Sequence, residues 1–184
     1  MALVIEDGTG KSDANAYDSV ENIRNYLIDR GKITVTVEGE EPETVTTYTP
    51  DITEAMIIQA TQDIDNLYES LFSGVRAVDG QALAFPRSDA YMFAQAVAYD
   101  TVPQRVKNAL AEMCLYSAKG IDSTPIVQTG IKLYRAKVDV IEEETEYSGS
   151  GTVNSSGVLT RVVNELKPLF KPSYGSFNGI IRRW

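Results

Sequence analysis

The sequence predicts a mainly α protein: a small bundle of about four helices with a β-hairpin arm, a second β-like excursion and an extended C-terminal tail. Three observations lead there. Apolar residues recur at spacings of three and four in several segments, the pattern of helices that bury one stripe. Two β-branched runs flank a Glu-rich turn early in the chain. Beyond the last periodic segment, prolines, glycines and small polar residues stop the helical pattern.

Local chemistry justifies each element in turn. Leu3-Val4-Ile5 is a short apolar run, followed by a turn-rich stretch from Asp7 to Asp13. Ser19 is suited to cap a first helix reaching Arg30, with Val20, Ile23 and Leu27 on one face and Gly31 as its stop. Ile33, Val35 and Val37 then alternate with polar residues, and Val45 and Tyr48 lie on the far side of the Glu38–Glu43 turn, which together read as a hairpin arm over 33–48. An isolated hairpin is marginal in water, so these five residues are the expected contacts with the body, a neighbouring subunit or another protein.

The second helix is expected from Ile52 to Phe72, with Asp51 and Glu54 at capping-box spacing and Ile57, Ala60, Ile64, Leu67 and Leu71 as its stripe. A mixed segment follows from Gly74 to Arg87. The third helix starts at Pro103 and ends near Lys119 with Gly120 as its stop, burying Val106, Leu110, Met113 and Cys114. From Ile131 to Tyr147 the pattern is strand-like and ends in an acid run, Glu142 to Glu146, which reads as a solvated edge or as a face for a basic partner. A Ser/Gly linker, 148–157, leads to a last helix from Val158 to Phe170, buried through Val162, Val163, Leu166, Leu169 and Phe170. The expected organisation is one domain, 1–170, and a tail, 171–184.

Composition excludes much chemistry. The 184 residues carry a formal net charge of −9, one cysteine and no histidine. Histidine-based acid–base catalysis and histidine metal sites are therefore impossible, and one thiol cannot build a metal cluster. No apolar run approaches a membrane span, and the acidic N-terminal residues do not resemble a secretory signal, so synthesis in a reducing cytosol is expected. An acidic chain is also a poor match for tracking a phosphate backbone.

Gly8-Thr9-Gly10-Lys11-Ser12 looks like the end of a phosphate-binding loop, but Ile5 stands where the pattern needs its first glycine. Carboxylate pairs such as Asp63/Asp65 lack a partner base, no activated nucleophile can be named, and no cofactor is implied. The expectation is a protein that is not an enzyme. The tyrosines are neighboured mostly by acids, which suits core edges and protein contacts better than base stacking.

The tail is the most informative segment. Phe177, Ile180, Ile181, Arg182, Arg183 and Trp184 put large apolar side chains and two guanidinium groups where a solvated end should be hydrophilic. Trp and Arg are the types most enriched where binding energy concentrates. Such a tail either covers its own domain or holds another chain.

Three stretches together resemble a family of tailed-phage head–tail connector proteins, many labelled DnaT-like single-stranded-DNA-binding proteins. They are Met1 to Gly10 with Ala14-Asn15-Ala16-Tyr17, then Leu83-Ala84-Phe85-Pro86-Arg87, then Val102-Pro103-Gln104-Arg105-Val106-Lys107-Asn108-Ala109. The arm looks like an insertion relative to shorter members, and Phe85 stands where others carry tryptophan. The resemblance implies a virion neck component, made in the host cytoplasm. It would be a helical adaptor that docks below the portal protein as a ring of neighbouring copies, typically dodecameric. The ring extends the channel through which packaged DNA passes without specific binding, and receives the next neck or tail protein. It further implies that the tail, through Phe177 and Ile180 to Trp184, reaches the portal. The alternative is a single-stranded-DNA-binding replication accessory protein.

Overall fold

The periodic segments become four helices in the computed structural model, which describes residues 2–39, 45–121, 134–138, 141–145 and 159–171. They are α1 (Val20–Asp29), α2 (Glu54–Tyr68), α3 (Gln104–Ala118) and α4 (Thr160–Leu166). Among the described residues the strands form antiparallel pairs: β1 (Thr34–Glu38) with β2 (Val45–Thr49), β3 (Val75–Arg76) with β4 (Arg87–Ser88), β5 (Tyr91–Met92) with β6 (Gln95–Ala96), and β7 (Tyr134–Val138) with β8 (Ile141–Thr145). The protein is thus a mixed fold of helices and small hairpins rather than a plain helical bundle. No helix among the described residues is long and apolar enough to cross a membrane.

Helix α3 is the hub, packed by α1, α2 and α4. Neighbours on several sides bury Val106, Leu110, Met113, Cys114 and Leu115, and the small Ala109 and Ala111 are buried with them. Pro103 sits one place before the first helical residue and Gly120 follows the last turn at φ +70°, where a residue without Cβ is favoured.

The other helix ends show where sequence pattern and packing part. Ser19 caps α1 by accepting from the Asn22 amide, as expected. The cap of α2 is Thr53, which accepts from the Met56 amide; Asp51 instead pairs with Arg24 at 2.5 Å. The last turn of this segment tightens into a 3₁₀ turn, Glu69–Leu71, which leaves Leu71 46% exposed while Thr61 and Tyr68 join the buried face. Helix α4 also ends in a 3₁₀ turn, Lys167–Leu169, because Pro168 has no amide to continue the α ladder. Its buried residues are Val162, Leu166 and Leu169, with Val163 and Phe170 half-buried. The linker 148–157 lies outside the described residues, and so does the tail beyond Lys171.

Both predicted β excursions are hairpins. In β7–β8 the register sets Arg135 opposite Glu144 and Lys137 opposite Glu142. In β1–β2, Val35 lies opposite Tyr48 and Val37 opposite Thr46.

A polar junction ties the N-terminal segment and the loop before β4 to α2. The Tyr17 hydroxyl donates to Asp65 Oδ1 at 2.5 Å, the Ala84 amide donates to Asp65 Oδ2 at 2.8 Å, and the Phe85 amide donates to the Tyr17 oxygen at 3.3 Å. Next to it, the buried Arg87 guanidinium donates to the carbonyls of Ser73, Gly74 and Ala84 and stands 5.9 Å from the ring centres of both Phe72 and Phe85. These are residues of the first two family-like stretches, now seen to interlock through a carboxylate on α2.

Burial pushes the Asp65 carboxyl up from 3.8 to about 6, against the pull of its two hydrogen bonds. Its stabilising contribution is therefore complete below the ordinary value and is lost as pH rises through about 6. Tyr17→Phe removes a bond that favours the charged carboxylate, which raises the folded value further and enlarges that loss. Urea unfolding should show the variant less stable by about 1–3 kcal/mol. The gap should be wider near neutral pH than well below about pH 5.

Candidate functional site

The glycine loop is the first candidate site, and it is already filled. Its amides do converge on an anion, but the anion is internal. The buried Glu6 carboxylate accepts from the Gly8, Gly10 and Lys11 amides at 2.8–2.9 Å. Lys11 turns away to pair with Asp7 and to donate to the Ile5 carbonyl. The loop that resembles a phosphate cradle is thus filled by its own chain, at the cost of two glycines held at φ +103° and +75°.

A cleft of about 410 Å³ lies over Asp65, lined also by Ser12, Asp13, Gln62, Glu69 and Arg76. A raised carboxyl in a cleft is the setting an acid–base enzyme needs. Here both carboxylate oxygens are already engaged, by Tyr17 and Ala84, and the neighbouring Glu69 is bound by Arg76 at 2.7 and 3.0 Å. The remaining nucleophile candidate, Cys114, is buried on α3 and its thiol is pushed up to about 12.

The arm residues are divided by the structure. Val35 and Val37 project into solvent, as does every residue of β1. Ile33 does not: it is buried in the core at the foot of the arm and is unavailable to a neighbour. Tyr48 is half-buried, with the Arg24 guanidinium 4.4 Å from its ring centre. Val45 opposes Glu38 in the register. Lys32, one residue before Ile33, pairs with the buried Glu112 on α3. The root is therefore pinned on both sides while the strands stand free.

A second exposed feature escaped the sequence reading. Strands β5 and β6 are joined by Phe93-Ala94, both at positive φ (52° and 63°), a turn normally made by Asn-Gly. It presents Phe93, 65% exposed, with the Arg105 guanidinium 5.0 Å from its ring centre; Tyr91 and Tyr99 are also exposed. Phe-Ala carries no turn signal, so only the structure reveals it. The other sequence-predicted site residues, Phe177, Ile180, Ile181, Arg182, Arg183 and Trp184, lie outside the described residues.

Two variants test the filled loop. Glu6→Ala should lower stability by about 2–3 kcal/mol, since three amides lose a charged acceptor. Gly8→Ala should cost more than about 1 kcal/mol, because a Cβ there would lie 1.9 Å from the Asp100 carbonyl oxygen. Equilibrium denaturation measures both.

Comparison with known proteins gives one match. No curated protein and no solved structure matches the chain. A family model described as "Putative DnaT-like ssDNA binding protein" matches residues 1–184. The match spans the whole chain, which therefore belongs to the family so described, "Putative DnaT-like ssDNA binding protein".

Proposed function

We propose that the chain is a structural, non-enzymatic assembly protein: a head–tail adaptor that docks on a phage portal as a ring, extends the DNA channel and receives the next neck or tail protein. The observation that carries this reading is the arm. A two-stranded ribbon with every β1 side chain in solvent, and Val35 and Val37 among them, gains little stability alone. Its value lies in reaching another chain, and its pinned root gives that reach a fixed direction.

Charge supports the same reading. Among the described residues, Lys11, Arg24, Lys32, Arg76 and Arg105 each pair with a carboxylate, and Arg87 is buried on carbonyl groups. Cations held this way are poorly placed to displace counterions from a phosphate backbone. In this reading the tail, through Phe177 and Ile180 to Trp184, is the portal anchor, and contacts repeated around the ring add through avidity.

A second reading follows from the family description and the exposed aromatic residues. Tyr91, Phe93 and Tyr99, with Arg105 beside Phe93, are side chains on which single-stranded bases could stack. It predicts oligonucleotide binding that weakens steeply with salt and is lost in Phe93→Ala.

Native mass spectrometry of the protein with the portal from the same genome, at physiological salt, separates the two. The adaptor reading expects a discrete complex with a full ring of copies. Removing Ile180 to Trp184 should abolish that complex while leaving the fold intact, as read by far-UV circular dichroism. Val37→Asp should weaken assembly while altering monomer stability by no more than about 0.5 kcal/mol. Tight oligonucleotide binding with no portal complex would overturn the adaptor reading.

A further inference from the structure

The point at which the tail leaves the domain is fixed. The Lys171 amide donates to the Leu71 carbonyl at 2.7 Å, the Lys171 ammonium donates to the Ser70 carbonyl, and Phe170 bridges to Phe72. Beside this exit are exposed apolar side chains. Leu71 lost its burial to the 3₁₀ turn, Val75 lies on the short strand that follows, and Tyr91 is joined to Ser73 by hydrogen bonds in both directions. Asp89, also exposed, is two residues before Tyr91.

The thirteen residues after Lys171 hold Phe177, Ile180, Ile181 and Trp184, with Arg182 and Arg183. At about 3.3–3.6 Å per residue, Phe177 reaches roughly 20 Å and Trp184 roughly 45 Å from the exit, ample to turn back onto it. A tether this short gives an effective concentration of about millimolar. A segment with an intrinsic affinity of only about 0.1 mM would then be docked roughly nine-tenths of the time.

We propose that the surface formed by Leu71, Val75 and Tyr91 is a docking site for this chain's own C-terminal segment, Phe177 to Trp184. The apolar residues cover the patch and the two arginines lie toward Asp89. A partner that takes the tail must first displace it from this surface, so the apparent affinity for that partner falls by the docked fraction. This inference stands apart from the portal role, because it concerns the free protein.

Trp184 is the only tryptophan in the chain, so intrinsic fluorescence reads its position directly. The test compares the full chain with a synthetic peptide of residues 171–184. The expected result is blue-shifted emission and weaker acrylamide quenching in the chain, unchanged on dilution. Leu71→Asp and Tyr91→Ser, each at an exposed position, should separately move the emission to that of the peptide, with far-UV circular dichroism unchanged and stability lower only by the lost tenfold docking, about 1.4 kcal/mol. Emission equal to the peptide's, emission insensitive to both variants, or a blue shift lost on dilution would each overturn the proposal; the last would assign the site to a neighbouring copy. None of these outcomes depends on portal binding.

Discussion

Asp65 is the joint on which this structure turns. One carboxylate on α2 receives the hydroxyl of Tyr17, from the N-terminal segment, and the amide of Ala84, from the loop before β4. Those segments are far apart in sequence and share no strand ladder with each other. Hydrophobic packing brings Phe72, Phe85 and Tyr17 together, but it is non-directional, and the carboxylate fixes the distances and angles. Arg87 then closes the same loop by binding three carbonyls that would otherwise be buried without donors. A half-buried carboxylate with both oxygens satisfied is costly to disrupt, which suits a unique arrangement better than maximal stability.

The same junction gives the family-like stretches a physical meaning. Ala14-Asn15-Ala16-Tyr17 and Leu83-Ala84-Phe85-Pro86-Arg87 are the two halves of one contact, with Ala14, Asn15 and Leu83 at the edge of the cleft over Asp65. The third stretch supplies α3, whose buried faces every other helix uses.

Legibility in the sequence followed the range of the interactions. The helices around Ile23, Ile57, Leu110 and Leu166 could be read because amphipathic periodicity is local. The arm could be read because alternation and a Glu-rich turn are local too. Asp65 could not be told from its neighbour Asp63 as the junction acid, since its partners lie 48 and 19 residues away. Leu71 was expected inside because the period of three and four was extended one turn too far, past the point where the helix tightens. The Phe93-Ala94 turn was invisible because neither residue favours positive φ. Glu6 was missed as the occupant of the glycine loop because motif reading looks for what a loop binds from outside.

The arm has one more consequence. Thr34 and Thr49 face each other in the ladder, so the chain leaves and re-enters the body at adjacent points. Antiparallel partners stand only about 5 Å apart, a gap that a single tight turn can bridge. The ribbon beyond its root can therefore lengthen or shorten without moving α1 or α2. This makes the arm an adjustable spacer: residues added in pairs advance its tip by a little under 7 Å per pair on each strand, and the core never registers the change.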